Sequence, residues 1–163
     1  MNDQGMDGNG RAAFVPEDFE VPRGLAGDGF RLEPLGPGHN ERDLAAWTGS
    51  IAHVRATPGF EGRGWPPVEG MSAEANLGDL VRHAEDFAAR RGFTYSVLDG
   101  EDGDEVIGCL YVYPSKEQDG RVSVSSWVRA DRAALDVPLY ETVGGWLRAV
   151  WPFEADRIDY AAR

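Results

Sequence analysis

Two arginines lie close together in the segment Arg129–Asp136, which has the sequence RADRAALD. The segment follows a stretch rich in β-branched residues, RVSVSSWVR, and precedes a run in which apolar residues recur at helical spacing. A strand that turns sharply into a helix directs free N–H groups and the positive end of the helix dipole at one point. Phosphate groups bind at such points. This segment, called the elbow below, therefore predicts a site for a phosphorylated cofactor, with Arg129 and Arg132 as its cations.

The elements around the elbow follow from the spacing of apolar residues. Three strands are predicted before it, at Phe93–Leu98, Val106–Tyr113 and Arg121–Arg129. The second of them is nearly all apolar, as central strands are. The elbow leads into a helix that begins near Asp136, and a last strand follows at Arg157–Tyr160. A strand–helix–strand unit predicts a right-handed crossover and a parallel pair of strands.

The first half of the chain supplies one strand and two helices. The strand is predicted at Phe30–Leu35 and the first helix from Asn40 to Thr57. An irregular loop, GFEGRGWPPVEG, separates it from a helix capped by Ser72. The apolar residues of that second helix predict its inner face: Leu77, Leu80, Val81, Ala84 and Phe87. The fold class predicted is α/β of the α+β type, with the order β-α-α-β-β-β-α-β, a mixed sheet of about five strands, and helices on both faces.

Composition limits the classes of partner. The net charge of −12, with a single lysine among 16 basic residues, argues against a nucleic-acid partner. An acidic field favours a cationic small molecule such as an amine, although solubility alone also explains the charge. The single cysteine, Cys109, excludes an intramolecular disulfide, and we expect a reducing, cytoplasmic setting. No apolar stretch is long enough to cross a membrane, and residues 1–27 read as a flexible tail.

The order of elements from Phe30 to Arg163 resembles the GNAT superfamily of N-acetyltransferases. Three phrases carry the resemblance: FRLEPL as the first strand, VIGCLYVYP as the third and SVSSWVR as the fourth. It implies that residues 28–163 form a domain that binds acetyl-CoA or another acyl-CoA. In that family the fourth strand leaves its backbone free for the pantetheine arm, and the next turn binds pyrophosphate through backbone amides.

The family's turn has the form Gln/Arg-x-x-Gly-x-Gly/Ala, which the elbow matches in part. If the pattern starts at Arg129, Ala134 matches its last position, but Arg132 replaces the first glycine. If it starts at Arg132, Leu135 and Val137 occupy both glycine positions. Two arginines compensate through charge-assisted bonds to phosphate, or else form salt bridges with Asp131 and Asp136. The cofactor-binding residues implied by the resemblance are Ser126, Trp127, Val128, Arg129, Arg132, Ala133, Ala134, Leu135 and Asp136.

Acetyl transfer to an amine requires a base that keeps the amine neutral and a donor to the thioester oxygen. The positions of four residues on the first, third and fourth strands make them candidates for the catalytic site: Glu33, Tyr111, Tyr113 and Ser125. Glu61 in the irregular loop is a further candidate. Strand tyrosines more often pack with a bonded hydroxyl, and Trp127 fits either a groove wall or the core. The three histidines lack metal-ligand spacing, and Cys109 reads as a buried, inert thiol.

These features predict an N-acetyltransferase that moves an acetyl group from acetyl-CoA to a small-molecule amine. The alternatives are an inactive relative that acts as an acyl-CoA sensor or interaction module, and an unrelated mixed α/β binding domain. Members of the family usually continue past the fifth strand with a helix and two strands that this sequence lacks. The fifth strand is therefore expected to leave an open edge, which a second copy in a homodimer or the N-terminal tail would cover.

Overall fold

The computed structural model describes residues 13–163, and within them the strands form one sheet. In spatial order, which is also chain order, they are β1 (Leu25–Gly27), β2 (Phe30–Pro34), β3 (Phe93–Asp99), β4 (Val106–Pro114), β5 (Val122–Val128) and β6 (Ile158–Tyr160). Neighbouring strands are antiparallel except β5 and β6, which are parallel. The predicted mixed sheet and its parallel pair are confirmed, with β1 as an additional strand.

In the described part of the chain four α-helices connect the strands: α1 (Asn40–Thr48), α2 (Ile51–Ala56), α3 (Ala73–Ala88) and α4 (Asp136–Val150). The single first helix of the sequence prediction is divided at Gly49 and Ser50. The Ser50 hydroxyl accepts a hydrogen bond from the Ala130 N–H at 2.9 Å, so this break ties the first helices to the elbow. Ser72 caps α3 as predicted, because its hydroxyl accepts a hydrogen bond from the Ala75 N–H.

The helices cover both faces of the sheet, as predicted. On one face α4 buries an apolar stripe against β3, β4 and β5, with Leu139, Val143, Trp146 and Leu147 inside. On the other face lie α1, α2 and α3, whose core residues include Trp47 and Leu80 and pack with Cys109 and Trp127 of the sheet. Burying each such large side chain contributes roughly 1.5–3 kcal/mol. Two separate cores therefore hold the sheet rigid between its helical layers.

The N-terminal segment differs from the prediction. Residues 1–12 lie outside the described part of the chain, but residues 13–27 are packed against the domain rather than flexible. Val15 is buried, and the Tyr95 hydroxyl donates a hydrogen bond to the Pro22 carbonyl at 2.6 Å. Single apolar residues in a Gly- and Asp-rich stretch show no periodicity, yet each fills a place in the core. Its strand β1 pairs with β2, at the end of the sheet opposite β6, while Phe14 and Phe19 pack on Phe153 and Trp151 after α4. The described part of the segment therefore adds no strand beside β6.

Candidate functional site

A cavity of about 1240 Å³ opens on the sheet face that carries α1 and α3. Tyr111 and Tyr113 of β4 and Ser125 of β5 line it together, since Tyr111 stands directly opposite Ser125 in the strand register. Three of the four candidate catalytic residues therefore meet in one place. The fourth, Glu33, does not: it lies exposed on β2, with its carboxylate 3.5 Å from His39 Nε2. Glu61 is exposed in the loop that follows α2 and does not line the cavity.

A histidine that the sequence analysis considered only as a metal ligand lies at the wall of this cavity. His83 Nδ1 is 2.9 Å from the Tyr113 hydroxyl, which donates its hydrogen to Asp86 at 3.0 Å. The Thr94 hydroxyl lies 3.1 Å from the same nitrogen. Since Tyr113 donates its hydrogen to Asp86, its oxygen is free to accept, and we assign the imidazole hydrogen to Nδ1 on that ground. Nε2 is then a hydrogen-bond acceptor. Burial lowers the pKa of His83 below its ordinary value, so the ring is neutral at pH 7.

A second titratable group lies on α1. Asp43 is 5% exposed, lines the cavity, and accepts a hydrogen bond on Oδ2 from the Asn76 side chain at 3.1 Å. Asn76 is itself held by Asn40 and by the indole N–H of Trp47, so the carboxylate is fixed in place. Burial raises the pKa of Asp43 to about 6. At neutral pH the cavity therefore holds a buried anion.

Aromatic rings form part of the cavity wall. Trp65, in the loop before α3, has its ring centroid 5.7 Å from that of Trp47, 5.9 Å from that of Phe60 and 6.2 Å from that of Trp127. Of these, Trp65 and Phe60 line the cavity. Trp127 is fully buried and donates its indole N–H to the Tyr111 hydroxyl at 3.1 Å. It belongs to the core, the second of its two predicted placements.

The two parallel strands pair over three residues only. Val122, Ser123 and Val124 of β5 face Ile158, Asp159 and Tyr160 of β6, and the rest of β5 has no strand partner on that side among the described residues. The Ser126 carbonyl is instead hydrogen-bonded by the side chain of Arg163 at 2.7 Å. An unpaired half-strand is thus present where the resemblance implies one. Ser125 and Ala161 place it at the border of the cavity.

Arg163 fills the gap that the separated strands leave. Its side chain is 2% exposed, and its guanidinium bonds the Ser126 carbonyl, Asp136 Oδ2 at 2.7 Å and the Pro58 carbonyl at 3.2 Å. The guanidinium carbon lies 5.7 Å from the ring centroids of both Tyr140 and Tyr160. No pattern in the sequence indicates a role for Arg163, because its partners are distant in the chain.

The elbow is arranged differently from a phosphate cradle. Residues 130–135 form a 3₁₀ helix, and the N–H groups of Arg129, Ala130 and Arg132 bond the Ile107 carbonyl, the Ser50 hydroxyl and the Arg129 carbonyl. Ala133 and Ala134 are exposed, Leu135 is half-buried, and Val128 is buried. The Asp136 N–H in turn bonds the Ala133 carbonyl. Three of the residues implied as phosphate donors, Arg129, Arg132 and Asp136, therefore already have their amides paired within the chain.

The guanidinium groups of the elbow are paired with carboxylates. Arg129 forms a two-point contact with Asp131, at 2.9 and 2.6 Å, and also contacts Glu105. Arg132 bonds Asp99 at 2.7 Å. Asp136 adds a carboxylate at the first turn of α4, where a phosphate would lie. In this arrangement the elbow does not fit a diphosphate. The Ser126 carbonyl does fit the N–H donors of a pantetheine arm, because it has no strand partner and accepts its hydrogen bond from a side chain, that of Arg163.

Among the described residues, no group of three or more His, Cys, Asp or Glu side chains is arranged to hold a metal ion. Within the same residues, no helix has the length and apolar character that a membrane span requires.

Comparison with known proteins identifies the fold. No protein-family model matches the sequence, and no curated protein matches it significantly. Solved structures do match. A protein assigned to the GnaT family of acetyltransferases in Bordetella pertussis superposes with a TM-score of 0.57 at 13% identity, covering 78% of this chain and 74% of that one.

Two further structures match in the same way. The microcin C7 self-immunity acetyltransferase MccE, solved with acetyl-CoA and AMP, has a TM-score of 0.58 at 9% identity, covering 78% of this chain and 66% of that one. The ribosomal-protein-S5-alanine acetyltransferase of Vibrio fischeri has a TM-score of 0.56 at 11% identity, covering 79% and 68%. At identities this low the superpositions establish a shared fold alone, and any chemistry has to be argued from the residues of this chain.

Proposed function

The chain has the fold of the GNAT superfamily of N-acetyltransferases, and we propose that it transfers an acetyl or other acyl group from acyl-CoA to a small-molecule amine. One observation carries the proposal: the unpaired half of β5 borders a cavity that holds a neutral histidine and a buried carboxylate. The first feature provides room for a thioester and the second provides a site for an amine. The two meet at Ser125.

The residues of the chain have separate roles in this reaction. His83 Nε2 accepts the proton of the incoming ammonium group, and Tyr113 with Asp86 holds the ring in the tautomer that allows this. Trp65 and Phe60 exclude water from the neutral amine. Ser126 offers its carbonyl to an amide N–H of the pantetheine arm in place of Arg163. When bound, acyl-CoA supplies the electrophilic thioester carbonyl and a thiolate leaving group.

A second candidate function is a domain that binds acyl-CoA or a partner protein without turnover. The paired amides and paired arginines of the elbow favour it, because they leave the diphosphate without its usual donors. Both functions require the same groove beside Ser126. The two functions differ in whether an amine is bound beside the acyl-CoA and gives its proton to His83.

Thiol release measures the difference directly. With acetyl-CoA and a panel of primary amines at pH 8, the wild-type chain should release CoA thiol at a rate that rises with amine concentration. Acetyl-CoA should also raise the melting temperature by mass action. Stabilisation without amine-dependent thiol release would select the second candidate function. The absence of both effects at millimolar acetyl-CoA would overturn both candidates.

The setting of the protein is a further part of the proposal. A buried, unpaired Cys109 is consistent with a reducing, cytoplasmic compartment. Pairing of two copies through the outer edge of β6 stays a prediction of the sequence.

A further inference from the structure

The cavity is acidic, and most of its charges already have partners. Five acidic side chains and two basic ones line it. Three of the acids are paired with arginines, namely Asp79 with Arg82, Asp86 with Arg91 and Asp159 with Arg121. A fourth, Glu117, is exposed to water. Asp43 is the remaining one, and it combines burial with the absence of any salt bridge to a described residue.

A buried carboxylate without a counter-ion is costly. The neighbouring amides lower this cost only in part, since Asn76 bonds Oδ2 while Oδ1 accepts no hydrogen bond from a described residue. The network through Asn40, Asn76 and Trp47 holds the group rigidly against the cavity instead of letting it turn outward. Such a carboxylate is suited to a cation that arrives from the cavity.

The surroundings of Asp43 define the kind of cation. Trp65 packs on Trp47, whose indole N–H donates to the same Asn76 that bonds Asp43. An aromatic face attracts an ammonium ion and its carbon chain, so this corner suits an alkylammonium group better than a hydrated metal ion. Arg63 lies over Phe60 on the same wall, 5.6 Å from the ring centroid, and shows that this wall accepts a cation.

We infer that Asp43 is the counter-ion for an alkylammonium group of the acceptor, held between the Asp43 carboxylate and the aromatic wall at Trp65. The inference rests on the proposed function for the role of that ligand as acceptor, but the binding itself needs no acyl donor. Asp43 is thereby a binding residue distinct from His83, which lies on α3 and takes the proton.

Calorimetric titration of the full chain with n-butylamine at pH 7 tests this inference. Asp43→Asn keeps the shape and the hydrogen bond from Asn76 but removes the charge, and it should weaken butylamine binding at least tenfold. Glu41→Gln is the matched control, because it removes one exposed carboxylate from the same helix and should leave the affinity unchanged. The neutral alcohol n-butanol should bind both variants and wild type equally weakly.

The pH dependence of wild-type binding is a second measurement that needs no variant. With a pKa near 6, Asp43 is about one-tenth ionised at pH 5 and nine-tenths at pH 7, so butylamine affinity should rise about tenfold over that range. Asp79 on α3, and Cys109 and Tyr111 on β4, are the other titratable groups that face Asp43. The rise should vanish in Asp43→Asn, because that variant lacks the carboxylate that titrates in this range.

The outcomes separate this inference from the proposed function. Equal butylamine affinity in wild type and Asp43→Asn, or no binding by wild type at millimolar amine, would overturn the role of Asp43. Amine-dependent thiol release could persist in either case, and the proposed function would stand. If the wild-type protein bound butylamine through Asp43 but released no thiol, the amine site would stand and the transferase function would be overturned.

Discussion

Replacing His83 with glutamine should reduce amine-dependent acetyl transfer by about 10²–10⁴-fold, which is the usual contribution of a positioned general base. Glutamine keeps a hydrogen bond to the Tyr113 hydroxyl but cannot take a proton. The loss should therefore fall on kcat, while the melting temperature and the shift that acetyl-CoA produces stay close to wild type. His53→Gln on α2 is the matched control, since His53 does not line the cavity.

The pH profile adds a readout that a merely structural role would not change. Because burial lowers the pKa of His83 below 6.5, the base is free at neutral pH and the rate should fall only as the pH drops through that lowered value. The acid limb of the kcat profile, measured at saturating amine, should disappear in His83→Gln, whereas the acid limb of kcat/KM that comes from amine binding at Asp43 should remain. A glutamine variant with the wild-type rate, or with the wild-type acid limb of kcat, would show that another group takes the proton.

Replacing Arg163 with alanine should lower the free energy of unfolding by about 3–5 kcal/mol, the usual cost of breaking a buried ion pair from one side. The Arg163 side chain is almost fully buried, and Asp136 Oδ1 already has no hydrogen-bond partner among the described residues. Removing the guanidinium leaves the Asp136 carboxylate largely buried at the first turn of α4 without a cation. Chemical denaturation at pH 7 measures the change.

Two controls assign that loss to the ion pair. Arg157→Ala removes an exposed arginine from the same C-terminal stretch and should change stability by less than about 0.5 kcal/mol. The double variant Asp136→Asn with Arg163→Met should recover part of the stability, because no unpaired charge is then buried. If Arg163→Ala were as stable as Arg157→Ala, the guanidinium would not fill the gap between the strands.

The fold could be predicted further than the site. The strands of this chain show strong β-branched and apolar patterns, and the unit from β5 through α4 to β6 has a single allowed hand, so the sheet followed from local signals. On α3 the predicted inner face is only partly right. Leu80 and Phe87 are buried as predicted, whereas Leu77 and Val81 are 38% and 36% exposed. The polar residues Asn76 and His83 share the inner face with Leu80 and Phe87.

This error explains why the site residues were missed. A prediction from the hydrophobic pattern assigns polar residues to solvent. The predicted orientation of a helix is therefore wrong wherever a polar side chain has its role inside a cavity. Asn76 and His83 recur with Leu80 and Phe87 at helical spacing, and Asp43 precedes Trp47 by one turn, which is the signal available in the sequence. The arginines of the elbow are paired for another reason. Arg129 contacts Asp131, a salt bridge that the sequence analysis gave as an alternative. Its second partner, Glu105 just before β4, and the partner of Arg132, Asp99 at the end of β3, are distant in the chain, and no spacing rule predicts them.

The most direct test of the central claim is an NMR titration of the isotopically labelled protein with acetyl-CoA, which shows where the ligand binds. We predict that saturating acetyl-CoA shifts the backbone signals of Ser126 and its neighbours in β5 and changes the side-chain Nε–Hε signal of Arg163, because the pantetheine arm takes the Ser126 carbonyl from that guanidinium. Shifts confined to residues away from β5 and Arg163, or none at millimolar acetyl-CoA, would contradict the account.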